Sequence, residues 1–237
     1  MTTIAAAEVL SRSSGAQPVL ITVEHASERM PAGWAWSPKD LPLRGTHWAY
    51  DIGAEDLARA LADALGSVAV FARFTRLLVD PNRPEASPDL VRAAAGQRSV
   101  HMNRGLSVEE RARRVEALWR PYHVIVDREV ANSPAPVLLA VHTFTPVFEG
   151  ERRAVEVGVL FDAEEDLARR LRARLEAAGF VAGLNQPYSG KEGLIFSVDL
   201  HARHHGRRAI EIELRQDLAV DPAVRERVAE AVVDVLG

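Results

Sequence analysis

Short apolar runs alternate with amphipathic helical patterns along almost the whole chain. One helical pattern begins at Asp51 and stops at Gly66. A second begins at Leu106 and is bent at Pro121, and a third begins at about Pro222. A further helix is predicted over E-D-L-A-R-R-L-R-A-R-L-E-A-A-G. The runs that predict buried strands are P-V-L-I-T-V, S-V-A-V-F-A, L-L-V-D, V-L-L-A-V-H, V-E-V-G-V-L-F-D and A-I-E-I-E-L-R. This alternation predicts an α/β fold, a three-layer α/β/α sandwich with a mostly parallel mixed sheet.

The composition fits a globular protein of one domain. The 237 residues are 47% hydrophobic and 26% charged, with a formal net charge of −4, which is ordinary for a folded globular chain. No change in composition divides the sequence. We therefore expect a single domain over residues 1–237, in which residues 1–16 form a flexible lead-in.

The composition also excludes several kinds of partner and chemistry. Arginines mix with acids along helical stretches such as E-E-R-A-R-R-V-E, which predicts solvated helix faces and no nucleic-acid partner. No apolar run approaches the about 18 residues that span a bilayer, and the first residues lack a signal-peptide pattern, so we expect a cytoplasmic protein with no membrane partner. The chain has no cysteine, so any metal ion must be held by histidines and carboxylates.

Polar side chains follow several of the predicted strands at the point where each strand ends. In open α/β sheets, ligands bind at the carboxyl ends of the strands. Histidines and carboxylates at such an edge suit a catalytic zinc ion, which takes about three protein ligands and leaves a position for water. The sequence therefore suggests a zinc hydrolase. The strand-end residues are Glu24, His25, Asn82, Arg83, His142 and Thr143.

The candidate metal ligands are His25, His142 and a third residue. Glu28 lies in an H-x-x-E spacing with His25, although beside Arg29 it also fits a solvated loop pair. Asp51 is the competing third ligand. An aspartate just before an amphipathic helix is also a ready N-cap, and the two roles are compatible.

Two further groups suit the chemistry of amide hydrolysis. Glu211 and Glu213 lie on one face of an alternating strand, where a carboxylate could act as general base and then proton donor. The alternative is an edge strand with one solvated face. Arg83, on the turn D-P-N-R-P beside Asn82, offers a planar fork for a substrate carboxylate, although a plain surface turn fits equally well.

Seven ordered motifs resemble the N-formylglutamate amidohydrolase family. The resemblance covers the chain from about Val19 to Leu218. It implies a fold similar to the zinc carboxypeptidases and aspartoacylases, with one zinc ion per chain. Family members of known role release formate from N-formyl-L-glutamate late in histidine breakdown. The motifs are V-x-x-E-H-A-S-x-R-x-P, T-H-W-A-Y-D-I-G-A, L-V-D-P-N-R-P, V-H-T-F-T-P-V-F-x-G, V-G-V-L-F-D, N-x-P-Y-S-G and I-E-L-R-Q-D-L.

The resemblance also implies roles for individual residues. By position, His25 and His142 correspond to metal ligands, and Asp51 of W-A-Y-D-I-G-A is ranked ahead of Glu28 as the third ligand. Glu213 corresponds to the catalytic carboxylate. Arg83 is expected to act with Glu213 in catalysis and, paired with Asn82, to grip the α-carboxylate of a small anionic N-acyl amino acid. The residues expected to line the substrate pocket are Thr143, Tyr188, Ser189, Gly190 and His201.

Two alternatives stay open on the sequence. The chain could use the same chemistry on another N-acyl amino acid or a peptide amide. It could also be a catalytically silent sensor of an acidic metabolite, although such a sensor would be expected to have lost Glu213 or a histidine. The sequence leaves open the acyl group, the physiological metal and the oligomeric state.

Overall fold

A computed structural model describes residues 6–11 and 17–237 of the chain. Its strands are β1 (Ala7–Leu10), β2 (Val19–Val23), β3 (Ala69–Ala72), β4 (Ala94–Ala95), β5 (Arg98–Ser99), β6 (Val137–Phe144), β7 (Val147–Phe148), β8 (Glu151–Arg152), β9 (Val157–Leu160), β10 (Ala182–Leu184) and β11 (Arg208–Arg215). Its helices are α1 (Ala54–Leu65), α2 (Val108–Arg114), α3 (Arg120–Asn132), α4 (Glu165–Ala177), α5 (Phe196–His204), α6 (Gln216–Ala219) and α7 (Pro222–Leu236). Among these described helices, none has both the length and the apolar character needed to cross a membrane.

The longest sheet is mixed and mostly parallel, as the sequence predicts. Within the described residues it has seven strands in the order β1-β3-β2-β6-β11-β9-β10. The central strands β3, β2, β6 and β11 run parallel, β1 pairs antiparallel with β3, and β9 pairs antiparallel with β11. The carboxyl ends of the four central strands therefore meet at one edge of the sheet. The two short hairpins, β4-β5 and β7-β8, lie outside this sheet.

Helices cover both faces of the sheet, which gives the predicted three layers. On one face, Ile21 and Ile212 share a buried core with the apolar sides of α1, α4 and α7. On the other face, Leu20 and Leu138 pack with α3 and α5. Successive residues of a strand point to opposite faces, so this division assigns a face to every side chain at the functional edge.

Two sequence predictions for local structure are wrong, and a third, the long helix, is confirmed with an interruption. L-L-V-D is not a strand, because Leu78 and Val79 are buried in a turn that leads into Asp80. Residues 7–10 of the expected lead-in form edge strand β1, whose Glu8 binds the buried Arg73 guanidinium, while residues 1–5 and 12–16 lie outside the described part of the chain. The long helix is interrupted by a π-helical turn over Val115–Trp119, just before Pro121, whose missing N–H cannot continue the regular ladder.

Two paired glycines offer a test of the packing at the edge of the sheet. Gly158 of β9 lies opposite Gly183 of β10. A Cβ on Gly158 would lie 2.2 Å from the carbonyl oxygen of Gln186, whereas a Cβ on Gly183 would meet the Gln186 side chain at 3.0 Å. We expect Gly158→Ala to lower the free energy of unfolding by about 3 kcal/mol, because backbone must move, and Gly183→Ala to cost below about 1 kcal/mol. Urea unfolding of both variants measures this, and equal losses would contradict the account.

Candidate metal centre and active site

Three buried side chains from different parts of the chain converge at the carboxyl edge of the sheet. His25 follows β2, Asp51 precedes α1, and His142 lies in β6. Asp51 Oδ2 lies 3.3 Å from His25 Nδ1 and 2.8 Å from His142 Nδ1. One ligand atom from each residue lies within 4.8 Å of the others, a spacing that could hold a metal ion. We call these three residues the trio.

A buried carboxylate supports the far side of each histidine ring. His25 Nε2 lies 2.8 Å from Asp80 Oδ1, and His142 Nε2 lies 3.0 Å from Glu24 Oε2. Ionised carboxylates only accept hydrogen bonds, and each ring faces one at Nε2 and another, Asp51, at Nδ1. A metal ion bound at Nδ1 would replace the proton there and leave the Nε2 proton donated to the supporting carboxylate. Imidazoles that bind metal ions are held in this way by a carboxylate on the other nitrogen.

The charges around the trio favour a cation there. Burial alone would raise the pKa of the Glu24 carboxyl, but the hydrogen bond and charge of His142 outweigh it and lower the pKa to about 2. The pKa of Asp51 is likewise held well below its ordinary value, despite burial, by His25 and His142. Burial disfavours a charged His142, yet Glu211, Asp51 and Glu24 raise its pKa well above the usual range. The centre therefore requires positive charge to balance its carboxylates.

Asp51 is a member of the trio and does not cap helix α1. The N-cap of α1 is Gly53, and no side chain caps the helix. The Asp51 N–H donates to the carbonyl of His25 at 2.9 Å, and its Oδ2 also accepts from the Thr143 N–H at 3.4 Å. The backbone before α1 therefore turns the carboxylate into the site. The N-cap interpretation of Asp51 is wrong because the carboxylate faces the histidines.

Glu211 and Glu213 lie on the α3/α5 face of strand β11, inside the sheet. Across the parallel pair, Glu213 is the partner of His142, so the two residues share a face. Both glutamates are buried, and their Oε2 atoms have no hydrogen-bond partner among the described residues. Burial raises the pKa of Glu211 to about 7, and burial together with the charge of Glu211 raises the pKa of Glu213 well above its usual value. The solvated edge-strand alternative is wrong, since β11 lies between β6 and β9.

The turn that carries Asn82 and Arg83 lies beside the support of His25. Asn82 Nδ2 donates to the carbonyl of Leu194 at 2.9 Å, and its Oδ1 accepts from the Ser197 N–H at 3.0 Å. Asn82 therefore ties the turn to the start of α5 and can offer a ligand only its second amide N–H. Arg83 is half-buried and donates from Nη1 to the Asn82 carbonyl rather than to a carboxylate, so its fork can still bind an anion.

Glu28 and Thr143, two other predicted site residues, lie outside the trio. Glu28 accepts from Arg44 Nε at 3.4 Å and from the Gly45 N–H. The geometry thus favours Asp51 as the third ligand. Thr143 is buried and donates from Oγ1 to the carbonyl of Ile52 at 2.9 Å, which braces the segment that carries Asp51.

The other predicted pocket residues contact partners other than the trio. Gly190 lies against the backbone of Phe161, where a Cβ would be only 2.5 Å from the Phe161 carbonyl, and Ser189 precedes it at the start of a 3₁₀ turn. Tyr188 is exposed, and its hydroxyl accepts from both Nη atoms of Arg153 at 3.2–3.3 Å. The two ring nitrogens of His201 face His123 and Asp127, so neither is directed at the trio.

Sequence reasoning missed two arginines near the site. Arg76 donates to Asp80 Oδ2 at 3.0 Å and to Asp51 Oδ1 at 3.4 Å, and so links the trio to its support. Its position four residues before Asp80 was the available signal. Arg153 places its guanidinium over the rings of Phe144 and Tyr188, at 5.4 Å and 5.0 Å. No sequence pattern predicts this cluster, because its members are far apart in the chain: Phe144 ends β6, Arg153 follows β8 and Tyr188 lies in a loop.

Two cavities lie elsewhere in the described part of the molecule. One of about 800 Å³ lies between α1 and α7, and one of about 220 Å³ lies between the 3₁₀ turn at Gly190 and helix α5. Neither is lined by a member of the trio. The chemistry of the side chains therefore identifies this site, rather than the size of a cavity.

The fold and the trio define an α/β protein with a candidate metal centre at the carboxyl edge of its sheet. Comparison with known proteins is consistent with that class. A family model for N-formylglutamate amidohydrolase matches residues 17–220, and the chain belongs to this family.

Individual relatives agree with this assignment. An N-formylglutamate deformylase of Pseudomonas aeruginosa is 28% identical, and the match covers 94% of this chain and 91% of that protein. The crystal structure of a gene product of Agrobacterium tumefaciens is 30% identical, with a TM-score of 0.85 and coverage of 98% of this chain and 93% of that one. An N-formylglutamate amidohydrolase of Ralstonia eutropha shares the fold at 18% identity, with a TM-score of 0.73 and coverage of 98% and 97%.

The contacts of Asn82 can be tested by stability measurements. Asn82→Ala leaves the buried Ser197 N–H and the Leu194 carbonyl without their partner, so we expect the free energy of unfolding to fall by about 1–3 kcal/mol. Asn132→Ala, at an exposed position near the end of α3, is the matched control and should change it by less than about 0.5 kcal/mol. Urea unfolding measures both. If the free energy of unfolding falls no more in Asn82→Ala than in the control, the two Asn82 hydrogen bonds do not stabilise the protein.

Proposed function

We propose that this protein is a zinc-dependent amidohydrolase that cleaves N-formyl-L-glutamate to formate and glutamate. The observation that carries the proposal is the trio, in which two histidines are fixed by carboxylates at Nε2 and aim Nδ1 at one aspartate. The family and the relatives named as deformylases support the substrate. On the same family expectation, the reaction takes place in the cytoplasm and belongs to histidine breakdown.

The residues present fit a zinc ion. His25, His142 and Asp51 would hold it, since two imidazoles and a carboxylate are a common ligand set for catalytic zinc. Two features of the protein support this fit. Asp80 and Glu24 accept the Nε2–H of the two imidazoles, which leaves Nδ1 for the ion, and Glu213 keeps an unpaired buried oxygen beside His142. When bound, zinc polarises the amide carbonyl and lowers the pKa of the attacking water.

Glu213 is the proposed general base and acid. Its carboxylate takes a proton from the water whose oxygen bonds to the formyl carbon, and then gives that proton to the nitrogen as the C–N bond breaks. The products are formate and a free amino group. Glu213 suits this exchange because burial raises its pKa, which makes its carboxylate a stronger base, and because its Oε2 is not committed to another described residue.

The substrate is proposed to be held by its carboxylates. Arg83 would grip the α-carboxylate with its planar fork, while Asn82 holds the turn in place with its two backbone contacts. Thr143 would border the acyl group from its place next to His142. Tyr188, Ser189 and Gly190 belong to the outer wall in this proposal, where Arg153 adds a second positive charge suited to an acidic side chain.

The assignment of the metal ligands is tested by zinc content. We expect Asp51→Asn to lower zinc affinity by more than about 100-fold, because a neutral amide is a poor replacement for a carboxylate ligand. Glu28→Gln is the matched control and should bind zinc like the original protein, since Glu28 pairs with Arg44. Equilibrium dialysis with elemental analysis measures both. If Glu28→Gln lost zinc affinity and Asp51→Asn kept it, Glu28 would be the third metal ligand.

The role of Glu213 is tested by separating binding from turnover. We expect Glu213→Gln to keep its zinc but to reduce kcat about 10²- to 10⁴-fold, because proton transfer is lost while the trio is intact. Glu192→Gln, at an exposed position, is the control.

Substrate choice is read from the same zinc-loaded protein, assayed against N-formyl, N-acetyl and N-carbamoyl amino acids. Formate release from N-formyl-L-glutamate supports the proposal. Preference for another acyl group would reassign the substrate, and no turnover of any compound would favour the sensor alternative.

A further inference from the structure

A second group of metal-ligating side chains lies between helices α3 and α5. Asp127 of α3 faces the histidine-rich end of α5, H-A-R-H-H. Its Oδ1 atom lies 3.1 Å from His204 Nδ1 and 2.8 Å from His205 Nε2. The same oxygen lies 3.6 Å from His201 Nδ1. Nitrogens of three imidazoles thus approach one carboxylate oxygen, and one ligand atom from each of Asp127, His204 and His205 lies within 4.8 Å of the others.

A chain of hydrogen bonds fixes the tautomer of the buried member, His201. His123 Nε2 lies 3.1 Å from the carbonyl of Pro81, which only accepts, so Nε2 carries the proton and His123 Nδ1 is an acceptor. His201 Nε2 lies 2.9 Å from that acceptor and must donate to it. His201 Nδ1 is therefore the lone pair of a neutral ring.

That lone pair points at Asp127 without a hydrogen bond. His201 is only 4% exposed, and its Nδ1 atom has no hydrogen-bond partner among the described residues. A lone pair and a carboxylate that face each other across 3.6 Å repel unless a cation lies between them. A surface ion pair of Asp127 with His204 and His205 would not explain this arrangement, because His201 is buried beneath that pair.

We propose that Asp127, His201, His204 and His205 form a second binding site, for a divalent first-row transition-metal ion such as zinc. Three imidazoles and one carboxylate are a ligand set that such ions prefer over magnesium or calcium. His123 supplies the support on the far nitrogen that ligating imidazoles usually have. The ion would link α3 to α5. Through the hydrogen bonds of His123 it would also be connected to Pro81, which is next to the Asp80 that supports His25.

This site is a separate claim from the proposed function. It shares no residue with the trio. Its ligands are the helix residues of α3 and α5 and the residue that follows α5, and His204 is largely exposed, so an ion can enter from solvent. The link through His123 and Pro81 suits an ion that stabilises the fold near the active site.

Zinc titration of variants distinguishes the two sites. Using isothermal titration and elemental analysis on the full chain, we expect one zinc equivalent that is weakened at least tenfold by Asp127→Asn, by His204→Ala and by His201→Gln. This equivalent should be unaffected by Asp51→Asn, whatever the trio binds. His101→Ala is the control for unspecific binding to a surface histidine and should change nothing.

The variants of Asp127 and His204 decide whether the second site exists. If Asp127→Asn and His204→Ala leave every zinc equivalent at the affinity of the original protein, no site exists there. Unchanged affinity in a folded His201→Gln variant would overturn the four-residue site. If His201→Gln does not fold, the variants of Asp127 and His204 still decide. Failure of the trio to bind zinc would appear only in the Asp51→Asn comparison and would leave this result intact.

Discussion

The candidate active site depends on two buried hydrogen bonds, from His25 to Asp80 and from His142 to Glu24. Each bond retains a ring proton on Nε2, so a metal ion can take the place of the proton that Nδ1 shares with Asp51. Without them, the two rings could rotate or exchange tautomers, and the Nδ1 atoms would no longer meet at Asp51. The supports are themselves held: Arg76 binds Asp80, and the Tyr122 hydroxyl donates to Glu24 at 3.2 Å. Removal of one partner from such a buried set leaves an uncompensated charge, which is costly.

The parallel sheet brings these groups together. Strands β2, β6 and β11 run in the same direction, so their carboxyl ends deliver Glu24, His142 and Glu213 to one edge. The register of β6 and β11 then pairs Glu213 with His142 on one face, while the apolar residues between them fill the opposite core. A shift of one residue in this pairing would turn Glu213 into the apolar core, so the fold and the chemistry depend on the same register.

Much of this could be predicted from the sequence, because periodicity and strand ends are local signals. The alternation of strands and helices predicts the three layers, and the histidines at two strand ends predict the place of the site. The role of Asp80 was hidden, because the apolar run L-L-V-D has the pattern of a strand although its leucines are buried in a turn. His201 was expected in the pocket from the family resemblance, but a side chain's direction depends on tertiary partners, here His123 and Asp127. The same limit applies to Arg153, whose aromatic neighbours come from the end of β6 and from a distant loop.

The central claim is that His25 and His142 present their Nδ1 atoms, with Asp51, to one shared metal ion. Crystals of the zinc-loaded protein, measured at the zinc absorption edge, test it most directly. The account predicts an anomalous peak in contact with both Nδ1 atoms and an Asp51 oxygen, with Asp80 and Glu24 still bonded to the two Nε2 atoms. A peak bound through Nε2, or no peak at the trio in crystals of catalytically active protein, would contradict it.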